Sequence, residues 1–191
     1  MTGRLFILIT GMPGSGKSIL VEEAKSLNLP VYVMGDVVRE ETMRRYGIVT
    51  HELMVETSKI LREERGEEII ALRTIERIKP CEQVVVIDGV RSLREVEVFR
   101  RYGEVIIVAV HASPKTRFER LLKRNRPGDP STYEEFYKRD MVELSFGLGS
   151  VIALADYVII NEGDINETRA KAREIFKNLI EKARSRDESY Y

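Results

Sequence analysis

Five short runs of apolar, mostly β-branched residues punctuate the chain: Leu5–Thr10, Val31–Met34, Val84–Asp88, Val105–Val110 and Tyr157–Ile160. Each is too short for a helix, and each is apolar without alternation, the pattern of a strand covered on both faces. Between them lie stretches of helical period: Ser18–Leu27, Asp36–Tyr46, His51–Ile78, Leu93–Tyr102, Lys115–Arg124, Glu134–Leu144 and Asn166–Arg184. The long His51–Ile78 stretch predicts two helices meeting near Gly66. Strands alternating with helices predict a parallel sheet with crossover helices on both faces, a three-layer α/β fold. The Pro/Gly-rich break Arg126-Pro127-Gly128-Asp129-Pro130 reads as a loop or hinge, and the polar Ser185–Tyr191 as a frayed tail.

Composition narrows the class. A chain of 191 residues is the size of one domain, residues 1–191, with room for a small flap. Hydrophobic residues at 43% and charged residues at 32% describe a folded protein rather than a disordered one. Basic and acidic residues both total 31, a balance that argues against a dedicated nucleic-acid coat or a polybasic membrane binder. The single cysteine, Cys81, forms neither an internal disulfide nor a cysteine zinc site, so a reducing, cytoplasmic setting is expected. No apolar run approaches the about 20 residues of a membrane helix, and Leu5–Ile9 is too short for a signal peptide.

The chemistry begins where the first strand ends. Gly11-Met12-Pro13-Gly14-Ser15-Gly16-Lys17-Ser18 fits Gly-x-x-x-x-Gly-Lys-Ser at every position, with a strand before it and an amphipathic helix after it. Glycines let successive backbone N–H groups turn inward around a phosphate. A helix starting near Ser15 adds its positive end. Lys17 is placed to reach the β- and γ-phosphates, and Ser18 offers a hydroxyl to Mg²⁺. Asp88, closing the run Val84–Asp88, is the expected second magnesium partner, through water. The chain is therefore expected to bind a nucleoside triphosphate with Mg²⁺.

Three further constellations bear on the second substrate. Gly35-Asp36-Val37-Val38-Arg39 follows the second strand and Asp88-Gly89-Val90-Arg91 the third. In a parallel sheet both emerge at the same end as the glycine loop. Arginine forks match phosphate oxygens, so Arg39 and Arg91 predict an anionic acceptor across a cleft from the donor. Asp36 also fits a helix N-cap. The stretch Lys115–Arg126 holds six basic residues against one acid, Glu119, and Arg139 follows the Pro/Gly loop. Such a patch suits closure over a phosphate chain.

With these residues in view, the chain resembles a P-loop nucleoside monophosphate kinase of the adenylate kinase type, and more closely an archaeal family of adenylate-kinase-related proteins. The resemblance implies a nucleotide-kinase-like domain with a five-stranded parallel sheet in the order 2-3-1-4-5, an acceptor-side helical region at about 36–79 and a short lid at about 115–145. It implies that Gly35, Asp36, Arg39, Asp88, Gly89 and Arg91 bind the acceptor. It also implies that Arg120 stacks on the donor adenine, that Arg124 touches its phosphates, and that Arg126 and Arg139 form the lid's second pair. Lys17, Arg120, Arg124 and Arg139 would then be the catalytic cations. Ala155–Gly163 resembles the last strand and loop of dephospho-coenzyme A kinases, with backbone near Asn161 reading the donor base. Two positions depart from the family pattern: Met34 stands where it has threonine, and Glu95 where it has glutamine on the adenine edge.

The expected reaction moves the γ-phosphoryl of ATP to a nucleoside monophosphate, with AMP as the first candidate. Such an acceptor is already anionic and needs no general base. Two alternatives stay open. One is a kinase for a hydroxyl acceptor such as dephospho-coenzyme A, with Asp36 as the base. The other is a nucleotide-dependent switch or assembly factor that hydrolyses ATP slowly and acts through a protein partner. His51, His111 and Cys81 read as structural.

Overall fold

A computed structural model describes residues 3–188. Five parallel strands form one sheet in the order β2-β3-β1-β4-β5: β1 (Leu5–Thr10), β2 (Val31–Val33), β3 (Val84–Asp88), β4 (Glu104–His111) and β5 (Tyr157–Ile160). The expected architecture and strand order are both present. Nine helices occur among the described residues: α1 (Lys17–Ser26), α2 (Met34–Tyr46), α3 (His51–Arg65), α4 (Ile69–Ile75), α5 (Leu93–Tyr102), α6 (Pro114–Arg124), α7 (Tyr133–Ser145), α8 (Leu148–Ala153) and α9 (Ile165–Glu188).

The continuous apolar runs resolve into two cores, because successive side chains on a strand point to opposite faces. Phe6, Leu8, Val85, Ile87 and Ile107 face one way and meet Val37, Val38, Leu61, Ile70, Phe99 and Val151 from α2–α5 and α8. Leu5, Ile7, Ile9, Val86, Val108 and Val110 face the other way and meet Ile19, Leu20, Ala24, Phe176 and Leu179 from α1 and α9. All six residues of β1 are buried. The edge strands differ: β2 is only half-buried, and β5 leaves Val158 and Ile160 exposed. Coverage on both faces therefore holds for the central strands alone.

Several boundaries move. The helix after the glycine loop starts at Lys17, with Gly16 as its N-cap, rather than near Ser15. Helix α2 begins at Met34 with Val33 as N-cap, so Asp36 lies in its first turn and does not cap it. The break near Gly66 is present between α3 and α4. Helix α8 is additional; its six residues are too few to show a helical period. Of the tail expected to fray, 185–188 continue α9 and 189–191 lie outside the described residues.

The sheet delivers the chemistry to one end. Ile9 pairs with Asp88, so the third strand's carboxylate stands beside the last turn of backbone before the glycine loop. The Gly89 N–H donates to the Ile9 carbonyl (3.1 Å) and the Thr10 hydroxyl to the Val90 carbonyl (2.9 Å). These bonds fix Asp88-Gly89-Val90-Arg91 against the loop that follows β1.

Candidate active site

The glycine loop bounds a cavity of about 410 Å³. Its geometry needs glycine at specific points. Gly16 has φ +101°, and a Cβ there would strike the Asn161 amide nitrogen. Gly14 has φ +80°, and a Cβ would lie 2.8 Å from the Arg117 carbonyl oxygen. Both glycines thus combine a left-handed backbone with close approach of a neighbour. Gly16→Ala should fold with a displaced loop. Nucleotide affinity, read by calorimetry, should fall by at least about tenfold, the equivalent of roughly 1.4 kcal/mol.

Lys17 lines the cavity, and its ammonium donates to the Gly11 carbonyl at 2.7 Å and the Met12 carbonyl at 3.4 Å. Burial pulls its pKa down, opposed by the carboxylates of Asp88 and Glu143. Burial likewise pushes Asp88 up, opposed by Lys17 and Arg91. Asp88 Oδ1 is buried with no hydrogen-bond partner, and Ser18 lines the same cavity. A buried, unpartnered carboxylate oxygen beside a hydroxyl is a donor set that fits Mg²⁺.

Six cations face this space: Lys17, Arg91, Arg120, Arg124, Arg126 and Arg139. Two carboxylates, Asp88 and Glu143, oppose them. Arg120 contacts the Asn161 amide oxygen at 3.5 Å, and its Nη1 is buried without a partner. Arg124 and Arg139 converge on Asp129 in the short loop between α6 and α7; Arg124 Nε donates at 2.8 Å and Arg139 Nη1 at 3.3 Å. Arg124 first among these neighbours holds the Asp129 carboxyl at about 2.

The other anticipated acceptor residues are not in the cavity wall. Gly35, Asp36 and Arg39 sit in the first turns of α2, and Arg39 is ion-paired to Asp36 with both side chains about half exposed. Of the anticipated pair of arginines, Arg91 alone reaches the cavity. Arg117, counted with the basic patch, is not on the surface. It is 4% exposed and gives two hydrogen bonds to Asp140, at 2.9 and 2.6 Å. It also donates to Ala112 (3.1 Å) and to the Pro13 carbonyl in the glycine loop (3.2 Å), with Phe136 at 4.9 Å from its guanidinium. Asn161 too acts through its side chain. The amide donates to the Ser15 carbonyl (2.8 Å) and accepts from the Thr168 hydroxyl (2.9 Å), bracing the loop from behind. Glu95 is locked away from any base: it accepts from Arg62 (2.8 Å) and from the Arg91 N–H (2.8 Å) and is 1% exposed. Met34 is core.

Glu143 was invisible in the linear chain. It lies on the inner side of α7, 52 residues beyond Arg91, and its carboxylate comes within 2.9 Å of the Arg91 Nε. Its only sequence signal is position: it follows Arg139 by one helical turn, which puts both on one face.

A β-strand, glycine loop and helix N-terminus, with a second strand delivering a carboxylate beside them, define a P-loop nucleotide-binding protein of the kinase-like class. Residues 7–142 match the family described as an AAA domain. The chain belongs to the UPF0200 protein family: it is 61% identical to the UPF0200 protein of Staphylothermus marinus over 180 residues, 94% of this chain and 95% of that one. Solved structures of similar fold include shikimate kinase from Acinetobacter baumannii in complex with shikimate (TM-score 0.59, 17% identity, 95% of each chain). A gluconokinase from Sinorhizobium meliloti is also similar (TM-score 0.57, 16% identity, 97% of each chain). No helix among the described residues is long and apolar enough to cross a membrane.

Proposed function

We propose that this protein moves the γ-phosphoryl group of ATP to an acceptor that already carries a phosphate, a nucleoside monophosphate with AMP as the first candidate. The observation that carries this reading is the charge of the cavity, six cations around the glycine loop against two lining carboxylates and Asp129, which pairs with Arg124 and Arg139. A triphosphate and a monophosphate together supply the anions that such an excess requires.

In this reading the loop N–H groups and Lys17 hold the β- and γ-phosphates. Ser18 and Asp88 hold Mg²⁺, which when bound neutralises phosphate charge and orients the donor. Arg91 grips the acceptor phosphate, and Arg120, Arg124 and Arg139 close over the transferring group from α6 and α7. A phosphate acceptor is ionised at neutral pH, so no side chain has to remove a proton. The hydroxyl-acceptor alternative asks Asp36 for that service, and Asp36 is engaged by Arg39 outside the cavity, which favours the phosphate acceptor.

Purified protein, ATP and Mg²⁺ incubated with a panel of nucleoside monophosphates and alcohols tests the reading directly. ADP formation that depends on a monophosphate supports it. Inert monophosphates with an active alcohol select the hydroxyl reading, and slow ATP hydrolysis indifferent to every acceptor selects a switch. Arg91→Ala is expected to raise the acceptor KM about 10- to 100-fold, the loss of a charge-assisted bond of roughly 1.5–3 kcal/mol, with a smaller effect on ATP. Arg39→Ala should raise it less, because Arg39 stands outside the cavity wall. A larger effect at Arg39 would reverse the assignment of the acceptor grip.

A further inference from the structure

Of the two carboxylates that line the cavity, the proposed function uses one. Asp88 is given to the cation. Glu143 has no part in moving a phosphoryl group to an acceptor that is already ionised. Its two oxygens differ. Oε2 is shut off from solvent and lies 2.9 Å from Arg91 Nε. Oε1 takes no hydrogen bond among the described residues and remains accessible. The side chain as a whole is only 9% exposed, so this free oxygen belongs to a carboxylate with little room to move. Arg91 beside it is steadied in turn by its own backbone N–H, which donates to Glu95 at 2.8 Å. Glu143, Arg91 and Arg139 all lie near enough to Lys17 for their charges to act on it. The free oxygen is therefore among the groups expected to surround the transferring phosphoryl. A water molecule there can donate to Oε1 and accept from the guanidinium groups that line the same cavity.

We propose that Glu143 is the catalytic base of a second activity of this site, hydrolysis of ATP by water when no acceptor is bound. This rests on the glycine loop holding ATP and not on the identity of the acceptor. Water, unlike a phosphate, is neutral and gives up a proton as it attacks, so it needs a group to orient it and take that proton. The water oxygen forms a bond to the γ-phosphorus while one water proton passes to Glu143 Oε1. The bond from that phosphorus to the oxygen bridging to the β-phosphate breaks, and ADP leaves with the electron pair. Inorganic phosphate remains, and Glu143 returns its proton to solvent. Arg91 serves here by holding Oε2, which leaves Oε1 turned to the water. A bound phosphate acceptor takes up Arg91 and the space of the water, so hydrolysis and transfer exclude one another.

Two turnover numbers test this, both at saturating ATP with Mg²⁺: phosphate release without acceptor, and AMP phosphorylation at saturating AMP. The wild-type protein should release phosphate alone and release less when AMP is added. Glu143→Gln should lower the ratio of release to transfer at least tenfold. Glu143→Asp, which keeps a carboxylate on a shorter stem, should lower it less. Both reactions use the same bound ATP, so an effect of the lost charge on Lys17 is shared and leaves the ratio alone. A purely electrostatic role also has the opposite sign. Removing a negative charge from a phosphate site favours both reactions, whereas removing a base slows hydrolysis. Absence of phosphate release by the wild-type protein overturns the proposal without any variant, which covers a Glu143→Gln protein that fails to fold. An unchanged ratio in Glu143→Gln overturns it too and makes Glu143 a support for Arg91. Phosphate release without AMP phosphorylation removes the kinase reading. The base then stands if Glu143→Gln slows release at saturating ATP, and falls if release is as fast or faster.

Discussion

Lys17→Met is expected to lower kcat/KM for ATP by about 10²–10³-fold, the loss associated with one preorganised charge donor at a transition state, while leaving the folded protein about as stable as before. The two halves of this expectation have one cause. The Lys17 ammonium is desolvated, and its partners are the carbonyls of its own loop, Gly11 and Met12. Those carbonyls are placed by glycine geometry and need no lysine to hold them. Replacing a buried cation by an apolar chain of similar length removes its desolvation cost, a change that is often neutral or stabilising. Asp88 loses its main positive neighbour and titrates still higher, which weakens any cation held there. Thermal melting and steady-state kinetics on the same preparation separate the effects. A melting temperature that falls in step with activity would make Lys17 a structural residue and remove it from the chemistry.

That division between local and distant pairing also governs what the linear chain revealed. The glycine loop was legible because its eight positions are consecutive and its function is carried by backbone. The parallel sheet was legible because each central strand must be apolar on both faces. Asp88 was legible as the last residue of such a run. What stayed hidden depends on contacts between segments far apart. Arg117 looked like one more cation of a basic helix, since nothing near it shows that Asp140 arrives 23 residues later to bury it. Asn161 looked like a turn residue, although its amide reaches back 146 residues to Ser15. Glu143 had no motif at all. The site therefore divides into a loop written locally and a set of charge pairings decided by packing.

The most destructive single change should be one that breaks such a pairing in the interior. Arg117→Met is expected to destabilise the protein by about 3–5 kcal/mol, the cost of leaving a buried carboxylate without its partner. For a chain of this size that corresponds to a fall in melting temperature of about 10 °C. Asp140 is 7% exposed, and both of its oxygens are bound by the one guanidinium. The double change Arg117→Met with Asp140→Leu should recover most of the loss, because an apolar pair beside Phe136 removes both charges at once. Function should not recover with it. Arg117 also donates to the Pro13 carbonyl at 3.2 Å, and its backbone packs against Gly14, so it ties α6 and α7, the helices carrying Arg120, Arg124 and Arg139, to the phosphate loop. A stable double variant with a raised KM for ATP would show that this ion pair aligns α6 and α7 with the loop. A double variant that is both stable and fully active would reduce the pair to packing alone, and a single variant as stable as the parent would mean that Asp140 finds water or another cation once the arginine is gone.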